Sequence, residues 1–306
     1  MHAALITEFS KSPAYSAVPE PTARENTVVL VVLASALHPR VRSQANGSHY
    51  TTTGDLPLVP GVDGVGRDET GSLRYFVSDD GAMADRVLVD SRASIVIPEH
   101  SDPVTIAAAM NPAMSSWIAL QRRIDFTPGH HVAILGAAGN AGRLAITIAR
   151  HLGAGRVSAV ARDSSSFPAL TALGADSVMT FDDVTGASGA DVVLDYVWGK
   201  PASAAMSDLV RARGDRSVPL TWVQIGSAAG LEAPIESAAL RSSALQIVGS
   251  GQGSVSTRDI LAELPALVDY VSSGALNVTA RPVPLHEVHE AWTSPASSVD
   301  RLVFVP

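Results

Sequence analysis

Short apolar runs separated by proline and glycine fill the first third of the chain. Residues 28–33 are an unbroken run of Val and Leu, which is typical of a buried strand. Residues 84–89 and 95–97 are also predicted to be strands, and the prolines and glycines between 57 and 66 indicate tight turns. This part of the chain is therefore predicted to be mainly β.

The pattern changes near residue 102, where a helical stretch begins that continues to residue 123. Strand-like and helix-like segments then alternate, which is the pattern of parallel βαβ units with helices on both faces of a sheet. The predicted strands cover residues 131–135, 156–161, 177–181, 191–195, 220–225 and 246–249, and the predicted helices cover 141–152, 165–173 and 201–210.

The end of the chain returns to the texture of its beginning. An amphipathic helix is predicted over 257–273, and strand-like texture follows over 280–306 around a short helix at 286–292. Because the two ends resemble each other more than the middle, we predict an outer domain formed by 1–105 and 253–306, with a domain at 106–252 inserted in it. The expected fold class is α/β, with a doubly wound parallel sheet in the inserted domain.

Composition narrows the function classes. The chain has 306 residues, of which 46% are apolar, a net charge of -8 and no cysteine. The acidic balance argues against a nucleic-acid surface, and the lack of cysteine excludes disulfides, thiolate nucleophiles and cysteine-held metals. The first residues have no basic lead and no apolar stretch reaches about 20 residues, so neither a signal peptide nor membrane insertion is expected. We expect a cytoplasmic protein.

A glycine-rich turn follows the predicted strand at 131–135 and leads directly into an apolar helix. Its spacing is G-x-x-G-x-x-G, in a strand–turn–helix setting that is typical of dinucleotide binding. The free amides and dipole of the helix N-terminus would bind a diphosphate. The alternative is a tight turn that binds nothing. The predicted cofactor contacts are Gly136, Ala138, Gly139, Asn140, Ala141 and Gly142.

The end of the next predicted strand decides between the two nicotinamide dinucleotides. Arg162 follows Ala161 at the place where an NAD enzyme carries an acidic residue, and a guanidinium there can bind a 2′-phosphate. Ser164 would add a hydroxyl. The competing features are Asp163, which could bond a ribose, and a surface ion pair between Arg162 and Asp163. The pattern favours NADP.

These motifs resemble the medium-chain dehydrogenase/reductase family, and most closely its zinc-independent quinone oxidoreductase branch. The resemblance rests on the opening strand at 1–9, the Pro-Gly-Val-Asp-Gly-Val-Gly segment at 60–66, the glycine loop, Leu-Gly-Ala-Asp at 173–176 and the strand at 191–195. It implies a Rossmann domain inserted in a smaller, mainly β, GroES-like substrate domain. It also implies hydride transfer from NADPH to a quinone or an α,β-unsaturated carbonyl, and a homodimer paired through the edge strand at 245–248.

The same resemblance locates the family's zinc-ligand positions. They hold His38, Val62 and Asn111 here, and valine cannot bind a metal, so no metal site is expected. The candidate catalytic groups are His38, Tyr50 and Asn111, which would orient the substrate or move a proton. His38 could instead be structural, and Asn111 could simply cap a helix over 112–120. The other central histidines, His130, His131 and His151, are expected to be solvated.

Two further segments are expected to line the cofactor because they end parallel strands. They are Ile225, Gly226 and Ser227 after one strand, and Gly249, Ser250 and Gly251 after the last. Two other functions remain open on the sequence: an NADPH-binding module with little catalysis, acting structurally or as a redox sensor, and an oxidoreductase of simple alcohols or carbonyls.

Overall fold

The computed structural model describes residues 1–276, 278–294 and 300–306. The chain forms two compact units: Met1–Asn111 together with Leu264–Pro306, and Pro112–Glu263. The domain limits drawn from the sequence at 105/106 and 252/253 stay predictions. None of the described helices is long and apolar enough to cross a membrane.

The first unit is built around a mainly antiparallel sheet. The order of its strands is β14-β15-β3-β4-β5-β7, where β14 (Thr279–Pro284) and β15 (Asp300–Val305) come from the end of the chain. Strand β6 pairs with residues 27–31 of β3, and β1 and β2 form a separate hairpin. The elements are β1 (His2–Leu5), β2 (Ala14–Ala17), β3 (Thr27–Ala36), α1 (Pro39–Ala45), β4 (Asp63–Arg67), β5 (Leu73–Val77), β6 (Arg86–Asp90), β7 (Ser94–Val96) and, at its boundary with the second unit, α2 (Pro103–Ile118).

Strand β3 holds this sheet together because it pairs with three neighbours. Its β-branched run fits a pleated surface. Residues 27–31 pair with β6, residues 35 and 36 pair with β15, and the pairing with β4 shifts register between Val32 and Ala34. Leu30 and Val32 pack with Phe76 and Val87 in one apolar cluster. Burial of each such side chain stabilises the fold by about 1.5–3 kcal/mol.

The second unit is a parallel sheet with the order β10-β9-β8-β11-β12-β13 and an apolar cluster on each face. Its elements are β8 (His131–Leu135), α3 (Asn140–His151), β9 (Arg156–Val160), α4 (Phe167–Ala172), β10 (Ser177–Met179), β11 (Val192–Asp195), α5 (Gly199–Ala212), β12 (Leu220–Gln224), α6 (Ser237–Arg241) and β13 (Leu245–Gly249). The chain closes with α7 (Thr257–Ser272), β14 (Thr279–Pro284), α8 (Val288–Thr293) and β15 (Asp300–Val305).

The strand order creates a switch point in the parallel sheet. From β8 the chain moves outward to β9 and β10, and it then returns to build β11, β12 and β13 on the other side of β8. Ligands of such sheets bind at the carboxyl ends of the strands where the order reverses, which here is between β8 and β11. The predicted fold class, an α/β fold with a doubly wound parallel sheet and a separate mainly β part, is confirmed.

Several predicted elements differ in detail. The opening strand ends at Leu5 rather than Phe9, and helix α1, with only Val41 and Ala45 buried, was too short for its pattern to be recognised. The helix predicted over 102–123 ends as a regular α-helix at Ile118, and a wider turn at Ala119–Arg123 follows.

Candidate active site

The glycine loop joins β8 to α3 at the switch point. Gly136 has a φ of +80°, a left-handed conformation that favours glycine, and the amides of Gly136 and Ala137 each donate to the carbonyl of Val160 at 3.0 Å. Gly139 is the N-cap of α3 and makes no side-chain cap. The N-terminus of α3 therefore has no capping side chain at Gly139, and its dipole favours an anion there.

The other two loop glycines have different steric roles. A Cβ on Gly142 would clash with the Gly136 carbonyl oxygen and lie 2.7 Å from Ala137 Cα, so this position admits no side chain. A Cβ on Gly139 would meet only the Gly136 oxygen, at 3.5 Å, so the space in front of Gly139 is open. Because open backbone faces the start of a helix there, the loop fits a diphosphate.

Arg143 adds a positive charge to this loop, which the glycine motif alone does not predict. Its Nε donates to the carbonyl of Ala138 at 2.9 Å, so the guanidinium folds back onto the glycine loop from the first turn of α3. The side chain is half-buried. The glycine spacing does not point to this residue. Its position in the first turn of the helix that follows the glycines is the sequence feature that could have indicated it.

The end of β9 presents the group that would distinguish the two dinucleotides. Arg162 is exposed directly after the buried Ala161. Asp163 accepts hydrogen bonds from the amide and the hydroxyl of Ser165, and these bonds lower the pKa of its carboxyl group. Asp163 therefore caps its own turn, which makes it a poorer ribose acceptor than a free carboxylate. Ser164 begins that turn and is exposed.

The ends of β11 and β12 are joined by backbone bonds. The carbonyl of Asp195 accepts from Ile225 at 2.8 Å and from Gly226 at 3.0 Å. A Cβ on Gly226 would lie 2.7 Å from the carbonyl oxygen of Tyr196, so this close approach requires glycine. The next residue, Ser227, is exposed and accepts a backbone bond from Gly230.

The predicted segment after the last strand continues this edge. Gly249 ends β13, and its carbonyl accepts from Arg123 Nε at 2.7 Å. Ser250 is buried and its amide donates to Gln224, whereas Gly251 is exposed and bonds Ser254. The predicted cofactor residues after β8, β9, β12 and β13 thus all lie at the carboxyl edge of one sheet.

A buried polar cluster occupies the first unit. His38 precedes α1 and is 2% exposed, and its Nε2 lies 3.6 Å from Asp63 Oδ1. The hydroxyl of Tyr75 donates to Asp63 Oδ2 at 2.8 Å, and both of these side chains are also buried. Burial lowers the pKa of His38, and the neighbouring Asp63 opposes that shift. Because this pKa is lowered, His38 is neutral near pH 7.

Arg301 supplies the opposite charge to this cluster. Its guanidinium donates to the carbonyl of Leu37 at 3.0 Å. Burial lowers the pKa of Arg301 to about 10, against the attraction of Asp63. Arg301 thus stays cationic at neutral pH, and its charge compensates the buried carboxylate of Asp63.

The other two candidate catalytic residues lie on different elements. Tyr50 is 71% exposed in the loop after α1, and its ring stacks on His49 at 4.4 Å between ring centroids. Asn111 lies in the interior of α2, which runs without a break from Pro103 through Pro112. The alternative of Asn111 as the N-cap of a helix at 112–120 is therefore wrong, because the carboxylate of Asp102 accepts the amides at the start of this helix.

The positions of the family's zinc ligands carry no ligand set. Val62 packs in an apolar cluster, and among residues 1–276, 278–294 and 300–306 no group of three or more His, Asp or Glu could hold a metal ion. The expectation that His131 is solvated is wrong. It is 8% exposed and its Nε2 contacts the hydroxyl of Ser158 at 2.7 Å, because it starts a central strand.

The fold and the carboxyl edge of its sheet define a dinucleotide-dependent oxidoreductase, and the comparisons agree. A probable NADPH-dependent quinone reductase of Emericella nidulans, tdiC, is 31% identical over 360 aligned positions that cover all of both chains. A 2-methylene-furan-3-one reductase of Solanum lycopersicum is 28% identical over 207 positions, which span 60% of this chain and 52% of the relative. No family model matches.

A solved structure supports the same relationship. The quinone oxidoreductase of Thermus thermophilus, whose complex with NADPH has also been solved, is 26% identical, matches over 100% of both chains and has a TM-score of 0.84. The chain belongs to the medium-chain dehydrogenase/reductase family, in its zinc-independent quinone oxidoreductase branch.

Proposed function

We propose that this protein is an NADPH-dependent, zinc-free reductase that transfers a hydride to quinones or α,β-unsaturated carbonyls. The observation that carries the proposal is the pairing of an open glycine loop after β8 with an exposed, cationic Arg162 after the neighbouring strand β9. The full-length similarity to a probable NADPH-dependent quinone reductase supports it.

In this proposal, each part of NADPH is bound by a different group of residues. The first-turn amides of α3 and the guanidinium of Arg143 bind the diphosphate, since both lie at the glycine loop. Arg162 and Ser164 bind the 2′-phosphate, which NADH lacks. The segments 225–227 and 249–251 lie along the same edge and enclose the remaining half of the dinucleotide. NADPH supplies the hydride when it is bound.

The substrate groups are proposed from the first unit. His38 is proposed to orient the substrate or to move a proton: its Nε2 lies 3.6 Å from Asp63 Oδ1, and within the described residues neither ring nitrogen has a hydrogen-bond partner. Tyr50 is an exposed residue whose phenol can donate to a carbonyl, and Asn111 can orient a substrate without moving a proton. Since reduction of a conjugated system needs little beyond a hydride and a proton, these groups suffice without a Lewis acid.

A binding experiment tests the cofactor assignment. Nicotinamide fluorescence is followed while NADPH or NADH is added to the wild type, to Arg162→Ala and to Arg156→Ala. Arg156 is the matched control because it is an exposed arginine at the opposite end of the same strand, β9. Loss of one charged contact weakens NADPH binding by about tenfold to a hundredfold. Equal affinity of Arg162→Ala and the wild type for NADPH overturns the role of Arg162.

Two finer features are part of the same proposal. Within residues 1–276, 278–294 and 300–306, the edge strand β13 pairs with β12 alone, so we propose that two copies pair through its other side as a homodimer. The side chains of Ile247 and Val248 on this strand are half-buried.

A cytoplasmic location is proposed from composition. Turnover of a quinone separates this function from a non-catalytic NADPH-binding module, and zinc dependence separates it from a metal-dependent alcohol dehydrogenase.

A further inference from the structure

Trp198 has a backbone conformation that is almost confined to glycine. It follows β11 with a φ of 54° and a ψ of -163°, and Gly199 after it has a φ of +66°. A bulky residue persists there only if its surroundings hold it, and such outliers concentrate at ligand sites. The strained backbone at Trp198 therefore suggests that its indole side chain has a functional role.

Asp195 is the residue that holds the turn. One carboxylate oxygen accepts the amides of Val197 at 2.8 Å and of Trp198 at 2.9 Å, and the other accepts the indole N–H of Trp222 at 2.9 Å. The carboxylate is buried, and burial raises its pKa. Three hydrogen-bond donors therefore hold the carboxylate of Asp195 in place, and this carboxylate in turn holds the backbone of the turn that contains Trp198.

The turn lies between the two cofactor segments. A Cβ on Gly136 would lie 2.9 Å from Val197 Cγ2, so the turn packs directly on the glycine loop. On its other side, the carbonyl of Val197 accepts from Ala229 at 2.8 Å. Trp198 thus stands at the switch point between β8 and β11, where the crevice of the sheet opens.

The indole itself is available to a ligand. Trp198 is half-buried and belongs to neither apolar cluster of the parallel sheet. Within the described part of the chain, the indole N–H makes no hydrogen bond, and the backbone amide donates to Asp195. A flat apolar ring with an N–H left over can both pack on a ligand and donate to it.

The order of the strands decides which half of the dinucleotide it meets. In the proposed function the 2′-phosphate half would lie over β9 at Arg162 and the diphosphate over β8, so the strand order would place the other half over β11. Resting on the function proposed above, we propose that Trp198 is a cofactor-contacting residue whose indole packs against the nicotinamide–ribose half of NADPH, and that Asp195 positions it.

The test compares Trp198→Phe, Trp198→Ala and Trp198→Gly with the wild type and with Trp292→Phe. Trp292 is the control because it lies in the other unit, over the guanidinium of Arg42 at 5.3 Å. Affinities are measured for NADPH and for adenosine 2′,5′-bisphosphate, which lacks the nicotinamide half. Sensitised NADPH emission after tryptophan excitation is recorded as an independent readout.

The proposal expects both Trp198→Ala and Trp198→Gly to bind NADPH about fivefold to tenfold more weakly and adenosine 2′,5′-bisphosphate as the wild type does. Retained binding of the bisphosphate shows that these variants are folded. Trp198→Gly alone raises the melting temperature of the free protein, because glycine adopts the turn without strain. Sensitised emission falls more in Trp198→Phe than in Trp292→Phe.

Two outcomes overturn it and differ from each other. If Trp198→Ala binds both ligands as the wild type does, the indole contact is wrong although the proposed function stands. If the wild type itself binds neither ligand, the proposed function fails and this inference fails with it.

Discussion

The hydroxyl of Tyr75 donates a hydrogen bond to the carboxylate of Asp63 at 2.8 Å in the interior of the first unit. The pairing of β4 with β5 creates this bond, since Val65 opposite Tyr75 and Asp63 two residues before it share one face of the sheet. Burial and the nearby carboxylate raise the pKa of Tyr75 well above its ordinary value, so the tyrosine remains a donor at every working pH.

Removal of this donor tests the buried cluster. Tyr75→Phe leaves one oxygen of a buried carboxylate without its partner, and we expect the free energy of unfolding to fall by about 1.5–3 kcal/mol in denaturant titrations. Tyr15→Phe is the control, because Tyr15 is 41% exposed and accordingly should change stability little. Equal stability of Tyr75→Phe and the wild type would show that Asp63 does not depend on this bond.

The pH dependence of stability tests the burial of His38. Because the fold lowers the pKa of His38, the unfolded chain binds a proton more readily, and stability is lost as pH falls below about 6.5. We expect melting temperatures between pH 7.5 and pH 5 to fall less steeply for His38→Asn than for the wild type. His100→Asn, at an exposed site, should keep the wild-type slope. A wild-type slope in His38→Asn would contradict the buried neutral imidazole.

The loop glycines separate folding from cofactor binding. Gly142→Ala places a methyl group against Gly136 and Ala137, and we expect a loss of about 1–3 kcal/mol in stability together with weak NADPH binding. Gly139→Ala has room in the free protein, so it should melt near the wild type and still bind NADPH poorly. Gly214→Ala, with no atom within 4 Å of its added Cβ, should change neither property. Thermal melts and NADPH titrations of the three variants check this order.

Substitutions of Arg143 and Arg162 are expected to change the affinities for NADPH and NADH differently. Arg143→Gln removes a charge beside the diphosphate, which both dinucleotides share, so NADPH and NADH should weaken by the same factor, about tenfold. Arg162→Ala removes a contact that only the 2′-phosphate makes. If Arg143→Gln weakened NADPH alone, the diphosphate assignment would be wrong and Arg143 would belong to the 2′-phosphate.

Local patterns predicted the parallel sheet well. The alternation of strands and helices and the G-x-x-G-x-x-G turn depend on neighbouring residues, and strand β8 has the predicted bounds His131–Leu135. The helix predicted over 165–173 is shorter, because Asp163 first closes a separate turn at Ser164–Ser166 before α4 begins.

Contacts between residues that are far apart along the chain could not be predicted from the sequence. The contact of His38 with Asp63 and the bond from Tyr75 arise where three distant segments meet, and no spacing along the chain encodes that. The backbone of Trp198 is equally hidden, since a tryptophan with a positive φ has no sequence signature. The burial of His131 follows from its position as the first residue of a central strand, although an imidazole side chain alone favours exposure.

The most direct test of the central claim is the initial rate of NADPH oxidation by the purified protein with a benzoquinone and with an open-chain enone, in the presence of a metal chelator. If the protein is a zinc-free, NADPH-dependent reductase, at least one acceptor is reduced, the chelator leaves the rate unchanged and NADPH is used well ahead of NADH. No oxidation of NADPH with either acceptor, a preference for NADH, or activity that the chelator abolishes would contradict this function.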